Sequence, residues 1–428
     1  INGSLMAGGL MTAPLLSKAN FFSGAEDTIK VAVVGCGGRG TGAAMQALSS
    51  KQNVKIVALC DAFKDNVDNC HKELTEEINN SIGELAKRLD VPEERKFTGF
   101  DGYKKAIALA DVVILATPPG FRPIHFEEAI NQGKHVFMEK PVATDPAGVQ
   151  KVLATAAIAK QKKLNVVVGL QRHYQNSYRE LFKRKDLIGD ITSMQAWWDN
   201  DGVWTRPRKA GQTEMEYQMR NWYYFNWLCG DHITEQHIHN LDVINWFKGG
   251  YPVKAQGFGG RQVRTSKEHG EIFDHHFVEF EYADGSILNS QCRHMPGTMS
   301  RVDELLIGTK GRIACGAAHI KDHSGKIIYQ YDTKKENNPY QTEHDELFAA
   351  IAKGEYKFAD AENGAKSTMT SILGRMATYS GQMVYWDKAI HSGIDIHPKV
   401  YAWDATPPVV PNADGSYPIA IPGITKYS

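Results

Sequence analysis

Residues 29–40 read IKVAVVGCGGRG, and this stretch decides the fold of the N-terminal part of the chain. Ile29 to Val34 is an apolar, β-branched run of strand length. Gly35-Cys36-Gly37-Gly38-Arg39-Gly40 follows it and opens an amphipathic stretch. In such a turn, backbone N–H groups and a helix N-terminus can hold a pyrophosphate. The pattern therefore predicts a strand, a phosphate-binding turn and a helix, in that order.

A second strand-like run, Lys55 to Cys60, ends at Asp61. A carboxylate at this distance beyond the glycine turn can accept hydrogen bonds from ribose hydroxyls and repel a 2′-phosphate. The two signals together predict a site for NAD, while the nearby Lys64 leaves NADP open. The alternative is a glycine-rich turn with an incidental aspartate.

The fold class follows from how strand and helix patterns alternate. From Thr28 to Leu170, short β-branched runs alternate with amphipathic stretches, which is typical of a parallel sheet covered by helices. We expect strands at Ile29 to Val34, Lys55 to Cys60, Val112 to Thr117, His135 to Met138 and Asn165 to Leu170, and helices near Thr41 to Ser49, Val67 to Leu89, Pro123 to Gln132 and Ala147 to Gln161.

Beyond Leu170 the composition changes, because all eight tryptophans lie there. Strand-like runs occur at Ile191 to Trp198, Phe277 to Tyr282, Ile287 to Cys292, Glu304 to Ile307 and Lys326 to Tyr331, and helical patterns at Glu343 to Ala352 and Glu362 to Tyr385. The sequence predicts an α/β protein with a Rossmann dinucleotide-binding domain at 27–170. An α+β domain for substrate binding and oligomerisation follows at 171–428, with a mostly antiparallel open sheet, C-terminal helices and a tail.

Composition excludes several classes of protein. The 428 residues carry 49 basic and 49 acidic side chains, and no run of like charge suggests a nucleic-acid partner. No stretch has the length and apolarity of a membrane span, and the six cysteines form no C-x-x-C pair. We expect residues 1–26 to be an apolar arm or a signal remnant, and this expectation favours a periplasmic or envelope-associated location over the cytoplasm.

Two further motifs carry a family resemblance. Glu139-Lys140-Pro141 follows the strand at His135 to Met138, and Ala116-Thr117-Pro118-Pro119 ends the preceding strand. With the glycine turn, this combination resembles the family of glucose-fructose oxidoreductase, inositol dehydrogenase and rhizopine catabolism enzymes, abbreviated Gfo/Idh/MocA. The resemblance implies that Lys140 lies beside the nicotinamide and hydrogen-bonds the reacting hydroxyl. It also implies a set of cofactor-binding residues, namely Gly35, Gly37, Gly38, Arg39, Gly40, Asp61, Thr117, Pro118, Glu139 and Lys140.

The segment from Asp231 to Asp242 contains the second catalytic signature of the resemblance. His239 takes the place of the family's general acid/base, Glu235 replaces an aspartate that supports it, and Asp242 is expected to be structural. On a continuous helix, residues 235, 239 and 242 share one face, so the Glu235 carboxylate could orient the imidazole. A divalent metal held by Glu235, His237 and His239 is a competing interpretation, although our leading prediction includes no metal. His237 is expected to line the pocket, its alternative being a satisfied core histidine.

The substrate class rests on composition between Trp197 and Trp227, where aromatic and polar side chains are interleaved as in sugar-binding sites. The predicted substrate residues are Arg172, His173, Trp204, Arg208, Trp222, Tyr223 and His237. These features predict an NAD-dependent oxidoreductase that takes a hydride from a secondary hydroxyl of a sugar, glycoside or cyclitol. An NAD-dependent glycosidase that works by transient oxidation and elimination is one alternative, and a non-catalytic sugar or nucleotide sensor is another. We expect a homodimer or homotetramer formed through the second domain.

Overall fold

The computed structural model describes residues 27–80 and 85–426. The apolar arm predicted at 1–26 lies outside this part of the chain. None of the described helices is both long enough and apolar enough to cross a bilayer.

The first sheet is parallel, in the order β3-β2-β1-β4-β5-β6. Its strands are β1 (Ile29–Val34), β2 (Val54–Asp61), β3 (Lys96–Thr98), β4 (Val112–Leu115), β5 (His135–Met138) and β6 (Val166–Val168). The helices between them are α1 (Gly38–Leu48), α2 (Lys64–Asn80), α3 (Gly102–Ala108), α4 (Arg122–Asn131) and α5 (Pro146–Gln161). The central strands are buried on both faces, as their continuous apolar runs require. Strand order reverses between β1 and β4, and ligands bind at such a point in open α/β sheets.

The second sheet is mostly antiparallel, in the order β14-β13-β12-β11-β7-β10-β9-β8-β15 among the described residues. Its strands are β7 (Ile191–Asn200), β8 (Lys254–Gly260), β9 (His275–Glu281), β10 (Ile287–His294), β11 (Arg301–Gly308), β12 (Gly311–Ala314), β13 (His319–Asp322), β14 (Ile327–Gln330) and β15 (Val384–Tyr385). Buried and half-exposed residues alternate along β9 and β10, so one face of the sheet packs on helices and the other is open.

The helices of the second part are α6 (Asn176–Phe182), α7 (Glu214–Arg220), α8 (Asn226–Cys229), α9 (His232–Glu235), α10 (Ile238–Lys248), α11 (Pro339–Ala352), α12 (Ala361–Ser380) and α13 (Trp386–Ile390). Helix α11 returns to the first domain, where Leu347 and Phe348 are buried in the same core as β1. The C-terminal helices therefore tie the two domains together.

The predicted fold class is confirmed, with local differences. The sequence patterns missed β3 and α3, which are short elements at one edge of the first sheet. The helix predicted from Glu362 to Tyr385 ends at Ser380, because Gly381 adopts a left-handed conformation with φ +68° and caps it. Val384 and Tyr385 then pair with β8. One pair in the second sheet, β7 with β10, is parallel.

Candidate active site

The glycine turn lies at the carboxyl end of β1, where close packing requires two of its glycines. Gly35 has φ +101°, and a Cβ there would lie 2.3 Å from the backbone nitrogen of Thr117. A Cβ on Gly40 would lie 1.8 Å from the carbonyl oxygen of Gly35. By contrast, a Cβ on Gly37 or Gly38 would meet nothing within 4 Å among the described residues. These two glycines therefore leave open space at the N-terminus of α1, which suits a bound pyrophosphate.

Asp61 lies at the end of β2 with its carboxylate directed at the turn. One oxygen accepts a hydrogen bond from the Cys36 N–H at 2.8 Å. The other accepts from the Phe63 N–H and from the Asn66 amide, each at 3.0 Å. Burial raises the pKa of Asp61, and these three donors oppose that shift. The carboxylate has about four acceptor positions, so roughly one remains for a ribose hydroxyl.

A cleft of about 690 Å³ joins the glycine turn and Asp61 to a segment of the second domain. We call residues 204–222, which cover the cleft, the roof. In the roof, Arg220 makes a two-pronged ion pair with Asp65 at 2.8 and 2.9 Å. Its guanidinium also lies 3.6 Å from the centroid of the Phe63 ring. Trp403 of the C-terminal tail packs on the other part of that ring, with centroids 5.0 Å apart. The adenosine end of the cleft is thus enclosed by both domains.

The basic residue that left NADP open is engaged elsewhere. Lys64 is exposed and pairs with Asp68 at 2.8 Å and with Glu93 at 3.8 Å. Asp65 lines the cleft but is paired with Arg220, so the unpaired negative charge next to the ribose is that of Asp61. This arrangement favours NAD over a cofactor with a 2′-phosphate.

Arginine side chains fix the turn that carries Lys140. Arg122 is buried and donates to the carbonyl oxygens of Glu139 at 3.0 Å and Thr117 at 2.6 Å. Arg39 pairs with the Glu139 carboxylate and lies 3.4 Å from that of Glu343. Glu139 was predicted to bind the cofactor, but its carboxylate forms an ion pair with Arg39. Thr117 and Pro118, together with Arg39, line the cleft.

Lys140 extends from this turn to α9. Its Nζ donates to the backbone carbonyl of Glu235 and lies 3.1 Å from the Glu235 Oε1. Both side chains are only 10% exposed. An ammonium group has three donors, so one N–H remains for a substrate oxygen.

The structure contradicts the prediction that Glu235 orients His239. The predicted continuous helix is broken, because α9 ends at Glu235 and α10 begins at Ile238. Residues 235 and 239 are therefore not one turn apart on a single helix, and the Glu235 carboxylate faces Lys140 instead. Glu235 is a partner of the lysine.

His239 lies at the start of α10 with its ring 5.8 Å from that of Trp198. Its Nδ1 is buried and has no hydrogen-bond partner within the described residues. Burial lowers the pKa of His239 well below its ordinary value, and the positive charges of Lys140, Arg172 and Arg39 lower it further. The imidazole is therefore neutral near neutral pH and able to accept a proton.

Asp242 has the structural role expected for it. It accepts hydrogen bonds from the Asn363 amide at 2.9 Å and the Ser367 hydroxyl at 2.8 Å, and it lies 2.7 Å from the His173 Nε2. Burial lowers the pKa of His173, but the Asp242 carboxylate outweighs it and raises the pKa. His173, predicted to bind substrate, thus has one ring nitrogen committed to Asp242. Arg172 donates to the Gln175 side chain at 2.6 Å, and its Nε is buried without a partner in the described chain.

Two other predicted substrate residues lie elsewhere. His237 is fully buried, with its ring nitrogens 3.2 Å from the Asn240 Oδ1 and 2.6 Å from the Ser290 hydroxyl. It is a satisfied core histidine and does not line the pocket. Arg208 is 40% exposed and pairs with Glu214, so it does not reach the pocket either. Arg208 was predicted from its place in the aromatic stretch and His237 from its place in the segment 231–242, and neither position in the sequence reports side-chain direction.

Trp204 and Trp222, by contrast, line the cleft. Tyr223 is buried and contacts Trp222 and Trp204 with ring centroids 5.5 and 6.4 Å apart. Burial and the nearby Glu235 carboxylate raise the pKa of Tyr223. These aromatic residues therefore join the nucleotide cleft to the surroundings of Lys140.

The competing metal site is not formed by the residues suggested for it. Glu235 faces Lys140 and His237 lies in the core, so neither shares a ligand position with His239. Within the described residues, two other groups have ligand atoms within 4.8 Å of one another, namely Asp231, His232 and His276, and Asp145, Asp395 and His397.

A family model described as an oxidoreductase family with an NAD-binding Rossmann fold matches residues 29–170. The model is that of the Gfo/Idh/MocA family, and its match covers the N-terminal domain of this chain. The matched residues contain the glycine turn, Asp61 and Lys140, and they are similar to the NAD-binding Rossmann domain that the model describes.

Three similar proteins illustrate the relationship. An inositol 2-dehydrogenase from Gluconacetobacter diazotrophicus is 28% identical over 244 residues, which cover 56% of this chain and 60% of that enzyme. A scyllo-inositol dehydrogenase structure from Lactobacillus casei, with bound NAD(H) and scyllo-inositol, has a TM-score of 0.61 and 21% identity, covering 84% of this chain and 100% of that one. An aldose-aldose oxidoreductase from Caulobacter crescentus, complexed with glycerol, has a TM-score of 0.64 and 18% identity, covering 84% and 100%. At these identities the structural likeness shows the fold alone, and the first two curated relatives are matched over 60% of their own length.

Sequence reasoning missed several residues of the site. Arg122 was not predicted, Arg220 and Trp198 belonged to the aromatic and polar stretch without a role of their own, and Asp231 and His232 were not assigned a role. The signal that the sequence offered was the high density of histidine and aspartate in the segment 231–242. The structure buries four of these side chains completely, namely Asp231, His232, His237 and Asp242.

Proposed function

We propose that the protein is an NAD-dependent dehydrogenase that oxidises a secondary hydroxyl of a sugar, glycoside or cyclitol. The observation that carries the proposal is the pair formed by Lys140 and His239. Lys140 is buried and has one free donor, and His239 is a buried, neutral histidine near enough for the Lys140 charge to lower its pKa. A purely sensory protein has no need of such a proton-transfer pair.

Oxidation of an alcohol requires loss of a hydride from carbon and of a proton from oxygen. The glycine turn and Asp61 would hold NAD, which would supply the hydride acceptor. The free N–H of Lys140 donates to the substrate oxygen and stabilises the negative charge that develops there. His239 accepts the hydroxyl proton, which its depressed pKa permits at neutral pH. Glu235 holds the Lys140 ammonium in place through two oxygens.

The test is a screen of polyols with the purified protein. We expect NADH to form with NAD and at least one member of a panel of inositols, free aldoses and methyl glycosides. Lys140→Met should abolish this formation while NAD still binds. If no member of the panel yields NADH or an oxidised product, the proposal is wrong.

A second candidate, the glycosidase that oxidises its sugar only transiently, is supported by the enclosed cleft. The roof and the tail cover the adenosine end, as suits a cofactor that is reduced and reoxidised without leaving. Incubation with aryl glycosides distinguishes the two activities. Release of the phenol without net NADH supports the glycosidase, whereas NADH and a keto-glycoside in equal amounts support the dehydrogenase.

The location of the protein and its oligomeric state remain proposals. The apolar segment before residue 27 motivates a periplasmic or envelope-associated site, and the open face of the second sheet motivates a homodimer or homotetramer.

A further inference from the structure

Beside Lys140 lies a second group of buried polar side chains, of which only Glu235 has a role in the proposed oxidation. Its members are Tyr223, His232, Glu235 and His294, and each has a side-chain nitrogen or oxygen that is buried and unpartnered within the described residues. The atoms are the Tyr223 hydroxyl, the His232 Nε2, the Glu235 Oε2 and the His294 Nε2. Burial of a polar atom without a hydrogen-bond partner is unfavourable. Although the Tyr223 hydroxyl and the Glu235 carboxylate interact with each other, the two histidine Nε2 atoms next to them indicate the place of a polar ligand.

The four side chains form a continuous row. The His232 and His294 rings stack with centroids 4.4 Å apart, and His294 stacks on Tyr223 at 5.9 Å. Tyr223 faces the Glu235 carboxylate, which adds to burial in raising the pKa of the phenol. Glu235 in turn contacts Lys140. The row therefore runs from the reacting group to His232.

Helix α9 places His232 and Glu235 on one side. They are the first and last residues of its single turn, three positions apart, and side chains with this spacing lie about 5–6 Å from one another. Equatorial oxygen atoms on alternate or opposite carbons of one sugar or cyclitol ring span a similar distance. A ring whose reacting oxygen contacts Lys140 can thus bring a second oxygen to His232.

The His232 ring is fixed in one tautomer by Asp231. The Asp231 Oδ1 lies 2.8 Å from the His232 Nδ1. Its Oδ2 accepts from the Phe273 N–H at 3.0 Å and from the Tyr379 hydroxyl at 2.6 Å. A carboxylate partner requires a proton on Nδ1, which leaves the Nε2 of a neutral ring as a lone-pair acceptor.

Asp231, His232 and His276 have ligand atoms close enough for a metal ion. The Asp231 oxygens, however, already accept N–H and O–H donors from three neighbours, and a cation would have to displace them. The contacts favour a hydrogen-bonded cluster.

We propose that His232 determines substrate specificity by accepting a hydrogen bond from a second hydroxyl of the sugar or cyclitol ring. Asp231 is its positioning residue, and His294 and Tyr223 complete the subsite. This role rests on the proposed polyol oxidation.

The test compares His232→Phe and His294→Phe with the parent protein. The probe is the polyol that the parent oxidises fastest among inositols and methyl glycosides, together with its monodeoxy analogues. His237→Gln is the matched control, since His237 is a buried histidine with its hydrogen bonds satisfied in the core. Thermal unfolding verifies that each variant is folded, and His294→Phe serves if His232→Phe is not.

We expect His232→Phe to lower kcat/KM for the full polyol about tenfold to a hundredfold, with NAD affinity unchanged. With the parent protein, kcat/KM for one monodeoxy analogue should be lower than that for the full polyol by the same factor. In the variant, kcat/KM for this analogue and for the full polyol should be equal. In Asp231→Asn, the ¹⁵N shifts of His232 should report a mixture of tautomers in place of the Nδ1–H form.

Three results would overturn the assignment. One is a kcat/KM in His232→Phe within twofold of the parent for every polyol. Another is a result in which the effect of His232→Phe on kcat/KM adds fully to the effect of removing the hydroxyl, for every deoxy analogue. The third is stoichiometric zinc or manganese in the purified protein that is lost in His232→Phe. If the parent itself oxidises no polyol, the proposed function fails and this role fails with it.

Discussion

Replacement of Asp61 by asparagine tests how the cleft selects its cofactor. The change keeps the size of the side chain and removes its charge. Because three protein donors already occupy the carboxylate, NAD stands to lose roughly one charge-assisted hydrogen bond to the ribose. Such a bond contributes about 1.5–3 kcal/mol, which corresponds to a rise in the NAD dissociation constant of about tenfold to a hundredfold.

The effect on NADP has the opposite sign. A 2′-phosphate would stand near the position of the ribose hydroxyl, and two unit charges 4 Å apart repel by about 4 kcal/mol at an effective dielectric constant near 20. Removal of that repulsion improves NADP binding by up to about a thousandfold. The remaining acid, Asp65, is neutralised by Arg220 and opposes this gain only weakly.

Isothermal titration of NAD and NADP into both proteins measures the two effects separately. Asp68→Asn is the matched control, because Asp68 is an exposed acid that pairs with Lys64 outside the cleft. An unchanged NAD dissociation constant in Asp61→Asn, or a ratio of NADP to NAD affinity equal to that of the parent, would show that Asp61 does not contact the ribose.

Three further predictions concern catalysis, stability and assembly. Lys140→Met and His239→Ala should each lower kcat by about a hundredfold to ten-thousandfold with NAD affinity nearly unchanged; normal turnover of His239→Ala at every pH would refute its role. Burial lowers the pKa of His237 to about 3, whereas the pKa of an unfolded histidine is about 6.5. The unfolded chain therefore binds a proton that the folded chain does not between these two pH values. The free energy of unfolding should fall by about 1.4 kcal/mol per pH unit as the pH is lowered from about 6.5 towards 3. Denaturant titrations should show a shallower acid slope in His237→Gln, and an unaltered slope would contradict this. Light scattering should show an oligomer that Phe258→Glu dissociates, since Phe258 is 65% exposed on the open face of the second sheet. A monomeric full-length parent would reject the interface, and an unchanged oligomer in a version that begins at Glu26 would reject only a contribution of the arm.

The sequence was informative where function depends on local geometry. The glycine turn, Asp61 and Lys140 could be predicted because each follows a buried strand directly, and the carboxyl ends of parallel strands share one edge of a sheet. Such short-range patterns can be recognised without knowledge of the tertiary fold.

Long-range pairings could not be predicted. Lys140 and its partner Glu235 are 95 positions apart, and Asp65 and Arg220 are 155 apart. The misassigned support of His239 has a local cause, since the break at Gln236 separates α9 from α10. No proline or glycine marks that break, so a periodic pattern alone suggested one continuous helix.

The ion pair between Arg220 and Asp65 also bears on how easily the two domains separate at the nucleotide cleft. Both side chains are partly exposed, and exposed pairs contribute only about 0–1 kcal/mol in water. The ion pair therefore breaks readily, and the aromatic packing of Phe63 on Trp403 contributes most of the contact between the two domains at this point. Dissolved ions screen the ion pair but leave the aromatic packing nearly intact. A rise in ionic strength therefore weakens the ion pair alone. The two domains consequently meet across the nucleotide through a contact that salt can loosen without unfolding either of them.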